Sequence, residues 1–373
     1  MRIALRQSEN WRVLFLKKLS TRDSKKNNQK EVAQMTLGLD KISVTERALM
    51  GIEKWNELNK EIKEEELNNY KKTSTAFHLI DFVKGCIGNA NTPYTPTGFS
   101  KLDDLLDGGL YEGLYVIGAI SSLGKTTLAL QITDQIAQSG QDVLIFSLEM
   151  ARTELMSKSI SRLTFIDVNE NGGHIEHAKT SRGITTGSRY SKYCPEETDL
   201  IYRCVQKYGT YAEHIFISEG IGDIGVKEIR EAVAKHIAIT EKKPVVLIDY
   251  VQILAPCDVR STDKQNTDKA MLELKRISRD FKIPVIGISS FNRANYSEAV
   301  TMSAFKESGA IEYSSDVLIG LQLKGAGSKD FDVAEAKNRN PREIQLVVLK
   351  NRAGGLGKID FEYYPLFNYY REV

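Results

Sequence analysis

Apolar residues recur at three- and four-residue spacing through "TERALMGIEKWNELNKEIKEEELNNY", where Leu49, Ile52, Trp55, Leu58 and Ile62 share one face and charges occupy the other. That period predicts an amphipathic helix. "STAFHLIDFVKGCIG" predicts a second, shorter helix, opened by a Ser/Thr cap and closed by glycine. "NANTPYTPTG" then interrupts the pattern with two prolines and a glycine, which marks a domain boundary. Upstream, residues 1–45 carry no sustained periodicity and read as a flexible extension.

Past the boundary the texture changes. "GLYVIGA", "DVLIFSL", "HIFISE", "PVVLIDY" and "PVIGISS" are apolar on consecutive positions and alternate with helical patterns at 125–139, 152–164, 225–238 and 266–281. Strands of this kind are buried on both faces, as in a parallel sheet covered by helices. "VLIGLQLK", "EIQLVVLKNR" and "GKIDFEYYP" follow with little helix between them and predict an antiparallel or mixed edge. The expected fold is α/β: a largely parallel twisted sheet with helices on both faces and an antiparallel C-terminal edge. The expected organisation is a basic extension (1–45), a helical linker (46–94) and one large α/β domain (95–373).

Composition narrows this modestly. A chain of 373 residues, 41% hydrophobic, suffices for one large domain with an extension or for two modest ones. Its net charge of +2 demands no nucleic-acid partner. Residues 1–30, however, hold nine Lys/Arg against two acids, which suits a solvated tail or a contact with nucleic acid or membrane. "WRVLFL" is too short for a membrane span or a secretory core, and no other stretch is long enough, so a cytoplasmic protein with no membrane partner is expected. The four cysteines lack C-x-x-C spacing, which argues against a disulfide framework or zinc knuckle. His174, His177 and Cys194 fall in or near a polar, glycine-rich stretch and are assigned no metal.

The chemistry concentrates in "GLYVIGAISSLGKTTLALQ". A phosphate-binding loop, G-x-x-x-x-G-K-[ST], calls for glycine five positions before Gly124; Ala119 stands there, and Gly118 is one place early. Context still favours a working site. A strand, the turn Ser121-Ser122-Leu123-Gly124 and an amphipathic helix follow in the order a phosphate cradle needs. Gly124 allows close backbone approach, Lys125 supplies a point charge for the outer phosphates, and Thr126 a hydroxyl for magnesium, with Thr127 next along the helix start. Alanine at 119 is tolerated where φ stays negative. Asp249 stands at the expected strand end in "VVLIDY", where a carboxylate can hold magnesium through water or merely cap a turn. Glu149 stands at the expected strand end in "VLIFSLEM", where a carboxylate can activate water or simply face solvent.

Together these pieces resemble the RecA-like ATPase domain of the DnaB-type replicative helicases. The resemblance spans about residues 95–373 and includes "TGFSKLDDLLDGGL", "SSLGKTT", "VLIFSLEM", "LIDYVQIL", "ISSFNR", "FKESGAIEYSSD" and "LKNRAGGLGKIDFEY" in family order. Alanine at the first loop position also occurs in that family. The resemblance implies ATP and Mg2+ as ligands, Lys125 and Thr126 on phosphate and magnesium, Glu149 as catalytic base and Asp249 as the magnesium-associated acid. It further implies that Lys350 and Arg352 reach a neighbouring subunit's site as an arginine finger; by themselves they read as edge-strand charges. Lys306, Glu307 and Gly309 match the family's DNA-binding loop, although Ser308-Gly309 alone reads as a helix-capping turn. The implied protein is a hexameric, ATP-dependent 5′–3′ helicase on single-stranded DNA, working in replication with a primase or loader. A DNA-binding ATPase or replication accessory protein without unwinding activity is the alternative.

Two departures stand out. Ser289-Ser290 replaces the family's Ser-Gln, whose glutamine senses the γ-phosphate, and Lys306 replaces an arginine. No counterpart of the family's N-terminal helical domain is seen. Residues 46–87 instead resemble the linker that packs on an adjacent subunit, as in the helicase half of a primase–helicase or a shortened mobile-element version.

Overall fold

The computed structural model describes residues 44–88, 94–220, 222–291, 298–305 and 309–373. The chain divides into two units, Met1–Asn91 and Thr92–Val373. In the first, the expected helices are α1 (Val44–Lys71) and α2 (Thr75–Gly88). The Ser74 hydroxyl accepts the Phe77 N–H at 3.3 Å, satisfying one of the donors a helix start leaves open. α2 buries none of its residues, and Phe77, Ile80, Phe82, Val83 and Ile87 are exposed.

The second unit opens with α3 (Ser100–Leu105), β1 (Gly113–Ala119), α4 (Lys125–Gln138), β2 (Val143–Ser147), α5 (Arg152–Glu170), α6 (Ser181–Thr185) and α7 (Pro195–Gly209). It continues with β3 (Ile215–Glu219), α8 (Val226–Thr240), β4 (Val245–Asp249), α9 (Asp263–Phe281), β5 (Pro284–Ser290) and α10 (Gly309–Ser314). β6 (Val317–Leu323), α11 (Val333–Asn338), β7 (Arg342–Asn351), β8 (Gly357–Tyr364) and β9 (Tyr369–Glu372) complete it.

Among the described residues the strands form a nine-stranded sheet in the order β3-β2-β4-β5-β1-β6-β7-β8-β9. From β3 to β6 every pairing is parallel, and from β6 to β9 every pairing is antiparallel. The expected parallel sheet with an antiparallel C-terminal edge is therefore the one observed. β1, β2, β4, β5 and β6 are buried at nearly every position, as strands covered on both faces must be. β3 departs from that pattern: it is an edge strand, and its residues alternate between half-buried and exposed.

Helix bounds differ from expectation where caps or apolar stripes reach further. α9 starts at Asp263 rather than 266, because Thr262 and Gln265 exchange backbone and side-chain hydrogen bonds in a capping box. α5 runs to Glu170 rather than 164, because buried Phe165 and Val168 prolong its apolar face. α4 is buried almost all round, from Thr127 to Ala137. Buried Arg162 of α5 pairs with buried Asp134 of α4, so α5 is locked to the helix that follows the phosphate loop. Among the described residues no helix is long and apolar enough to cross a membrane.

Candidate nucleotide site

Ala119, Ser147, Asp249 and Ser290 are the last residues of β1, β2, β4 and β5, and register pairs Ala119 with Ser290 and Ser147 with Asp249. The carboxyl ends of neighbouring parallel strands thus form one rim, the place where open α/β sheets bind ligands. A cavity of about 560 Å³ opens there, lined by Ser121, Ser122, Gly124, Lys125, Thr126, Thr127, Glu149, Asp249 and Ser290, among others.

The structure explains the alanine. Ala119 is fully buried, extended and paired on both sides, so it needs no glycine freedom. Left-handed backbone falls instead on Ser122 (φ 69°) and Gly124 (φ 79°). Gly118 has a separate cause: a Cβ there would lie 2.3 Å from the rings of Phe291 and Phe305. Leu123 turns its side chain into the core and does not line the cavity; its carbonyl accepts the Tyr370 hydroxyl.

Lys125 begins α4 and donates from Nζ to the carbonyls of Ala119 at 3.1 Å and Ile120 at 3.5 Å. Burial pulls its ammonium below the usual lysine range, and the carboxylates of Asp249 and Glu149 oppose that fall. A triphosphate offers this cation far better acceptors than two carbonyls do. Asp249 is 3% exposed, and burial pushes its carboxyl up to about 6, against the Thr126 hydroxyl bond that lowers it. Its Oδ2 is buried with no hydrogen-bond partner. An orphaned carboxylate oxygen beside a threonine hydroxyl fits a magnesium ion, which Thr126 and Asp249 would hold. Glu149 is exposed on the turn after β2, which is closed by the Ser147 hydroxyl donating to the Met150 carbonyl at 2.6 Å.

Over residues 95–372 the sequence matches the family described as "DnaB-like helicase C terminal domain". The chain belongs to the DnaB-like helicase family. It is 28% identical over 279 residues to the replicative DNA helicase DnaC of Bacillus subtilis (strain 168), covering 73% of this chain and 55% of that protein. To the replicative DNA helicase DnaB of Treponema pallidum (strain Nichols) it is 24% identical over 311 residues, 81% of this chain and 63% of that protein. The chain therefore spans less than two thirds of these relatives. A solved ATPase domain matches with a TM-score of 0.66 at 20% identity, over 81% of this chain and 99% of that one. A solved DnaB-like replicative helicase, studied for its interactions with primase, matches with a TM-score of 0.66 at 19% identity, over 94% of this chain and 80% of that one. These likenesses show that the RecA-like P-loop fold is shared.

Within this DnaB-like domain the structure separates the expected site residues into groups. Lys125, Thr126, Thr127, Ser121, Ser122, Gly124, Glu149 and Asp249 converge on the cavity; Lys350 and Arg352 do not line it. Lys350 Nζ donates to the carbonyls of Glu312 at 2.6 Å and Ser315 at 2.8 Å. Arg352 donates to the Tyr313 carbonyl at 3.2 Å and lies 3.5 Å from Asp316. Lys306 and Glu307 lie outside the described residues, whereas Gly309 is the first residue of α10.

Six lining residues, Met150, Lys158, Tyr250, Arg342, Tyr363 and Pro365, escaped the sequence, and three of them shape the site by contacts of their own. Lys158 of α5 borders the cavity and donates to Asn368 Oδ1 at 3.0 Å. Arg342 donates to the Ser122 carbonyl at 3.0 Å and stands opposite Tyr363 in the β7·β8 register. Tyr363 in turn stacks on Tyr370 with centroids 4.4 Å apart, and a Cβ at Gly124 would strike the Tyr363 ring and the Tyr370 hydroxyl. The C-terminal hairpin is thus a wall of the phosphate loop. Lys158 carried a usable signal, nine residues past Glu149 on a helix that starts at the rim. Arg342 and Tyr363 carried none, because only strand register brings them there.

Proposed function

We propose that this chain is the motor of an ATP-dependent DNA helicase, hydrolysing ATP at the subunit interfaces of a hexameric ring to move 5′–3′ along single-stranded DNA in replication. The observation that carries this reading is the separation of cations. Lys125 lies at the carboxyl rim of the sheet. Lys350 and Asn351 pair with Leu318 and Val317 at the opposite end of the parallel strands, about 20 Å away along a seven-residue strand. Arg352, next along, cannot serve its own site and is exposed to serve another. A finger supplied by a neighbour makes hydrolysis depend on assembly.

In the site, Lys125 and the N–H groups at the start of α4 bind and orient the phosphates. Thr126 and Asp249 hold magnesium, which when bound neutralises charge on the outer phosphates. Glu149 takes the proton of the attacking water, and Arg352 of the neighbouring subunit stabilises charge on the transferred phosphoryl group. The exposed apolar face of α2 docks on that neighbour, and residues 306–309 contact the DNA backbone. A primase or loader is the further partner.

Ser290 supports a second reading, a DNA-binding ATPase without unwinding. It lines the cavity with a side chain too short to touch phosphate and loop together. Two assays decide. ATPase activity should rise with single-stranded DNA, and turnover that ignores DNA removes both readings. Forked-duplex unwinding separates them: opened duplex supports the helicase, and stimulated ATPase without opening supports the alternative.

A further inference from the structure

Asp316 lies between the end of α10 and the start of β6, at the end of the parallel strands opposite the nucleotide rim. Its N–H donates to the Leu114 carbonyl at 2.8 Å and its Oδ2 accepts the Leu114 N–H at 2.7 Å, so it is pinned to the start of β1. Gly113 keeps that approach open, since a Cβ there would lie 3.1 Å from Oδ2. On its other side the Asp316 carbonyl accepts the Arg352 N–H at 3.1 Å. Asp316 thus ties the chain that carries Arg352 to the strand that leads into the phosphate loop.

Two cations share its carboxylate unequally. Lys275 of α9 pairs directly with Oδ2, and its side chain is 29% exposed. Arg352 lies 3.5 Å from Oδ1, is 54% exposed, and gives its hydrogen bond to the Tyr313 carbonyl at 3.2 Å instead. The carboxylate is 17% exposed, too shielded to lose every cation cheaply. With Lys275 in place, Arg352 can depart and leave a carboxylate that still holds an ammonium and a backbone N–H. Without Lys275 the same departure would strand a half-buried charge. Lys350 feels Asp316 as well, but its ammonium is spent on the Glu312 and Ser315 carbonyls, and it belongs to the pair expected to leave with Arg352. It cannot stand in.

We propose that Asp316 docks Arg352 while no neighbour is engaged, and that Lys275 is a positioning residue for the finger: by sharing the carboxylate it keeps the dock weak enough for Arg352 to reach a neighbouring subunit's phosphate. This rests on the proposed in-trans role of Arg352.

The test compares Lys275→Met, Lys275→Arg and the double variant Lys275→Met/Asp316→Asn in the full chain. Lys275→Met should lower turnover about five- to tenfold at unchanged KM for ATP, because the finger stays on Asp316. Lys275→Arg should restore it, and so should the double variant, in which no carboxylate remains to hold Arg352. Mixing Lys275→Met with Lys125→Ala should recover activity, since Lys125→Ala chains bring a free finger to intact sites. Mixing it with Arg352→Ala should not. Wild-type turnover in Lys275→Met overturns the proposal, as does a loss that Asp316→Asn fails to relieve. If Arg352→Ala and Lys125→Ala never complement each other, the in-trans reading fails instead, and stability still decides the dock. Arg352→Ala should leave the urea midpoint nearly unchanged in wild type and lower it by about 0.5 M or more in Lys275→Met. Equal shifts in the two backgrounds would show that Lys275 and Arg352 do not share Asp316.

Discussion

The side-chain amide of Gln252 donates to the Ser289 hydroxyl at 2.9 Å and approaches the Ser290 carbonyl at 3.4 Å, while its Oε1 is buried without a partner. A glutamine from the turn after β4 therefore holds the end of β5 where the family's usual glutamine would stand one position on. Gln252 also precedes the polar segment 255–262, so it joins the nucleotide rim to a loop. If DNA binds as proposed, Gln252→Ala should cut the change in single-strand affinity caused by a non-hydrolysable ATP analogue by about fivefold. Ser290→Gln should enlarge that change. Equal analogue effects in wild type and both variants would leave this contact with a packing role only.

Lys125→Ala should lower hydrolysis by about 10²–10³-fold and weaken nucleotide binding, because an ammonium at that point of the loop is fixed by the start of α4. Glu149→Gln should keep ATP bound while turnover falls about 10²–10⁴-fold, since the amide cannot accept the water's proton. Steady-state hydrolysis with fluorescent-nucleotide binding reads both. Near-wild-type turnover in Glu149→Gln would make Glu149 a solvent-facing acid.

Asp249 gives a pH dependence with a definite sign. Its carboxyl is raised to about 6 by burial, whereas an unfolded chain loses that proton near pH ~4. Between those values the folded state binds the extra proton, so stability from this group is greatest below pH ~4 and falls as pH rises to about 6. Asp249→Asn should therefore stabilise the nucleotide-free protein at pH 7.5 by up to ~3 kcal/mol and change little at pH 4, while weakening magnesium-dependent ATP binding. Urea midpoints at the two pH values check this. A variant less stable at pH 7.5 would mean that the carboxylate has a partner the fold depends on.

The sequence was most readable where local pattern and tertiary role coincide. β1 and β5 are apolar runs bounded by glycine, proline or serine, and both match their expected residues throughout. Lys125, Thr126, Glu149 and Asp249 could be placed on one rim because Lys125 and Thr126 begin a helix, Asp249 ends a strand and Glu149 follows one by two residues. α7 went unread: its Leu200, Ile201, Cys204 and Tyr208 are buried, but a polar, glycine-rich stretch precedes it and hides the onset. β9 is four residues behind a proline, too short to show a period. Arg342 and Tyr363 lie more than two hundred residues from the phosphate loop, and no spacing rule links them to it.

Arg352→Ala should spare ATP binding and depress turnover, because its guanidinium is absent from its own cavity. Mixing it with Lys125→Ala should then restore part of the activity. In a mixed ring some interfaces join an intact Lys125 to an intact Arg352, though each chain alone is inactive. Titration of one variant into the other, with co-assembly verified by sedimentation, measures the effect. No recovery at any ratio from co-assembled variants would end the in-trans assignment.

The alanine at 119 and the glycine at 118 make opposite predictions to those of the loop pattern. Restoring the pattern with Ala119→Gly should leave ATP affinity unchanged, because residue 119 is extended between β5 and β6 and adopts no left-handed conformation. It should cost stability by roughly 0.5–1 kcal/mol, as glycine inside a strand does. Gly118→Ala looks milder on paper and should be worse. Its Cβ would meet Phe305 and Phe291 at 2.3 Å, in a strand pinned on both sides and therefore unable to retreat. Overpacking of that kind costs about 1–3 kcal/mol. The displaced rings belong to the segment that ties residues 302–305 to the nucleotide rim, so DNA stimulation should weaken along with stability. Thermal melts and ATP titrations of the two variants decide the point: a large gain in ATP affinity from Ala119→Gly would show that the loop was impaired after all.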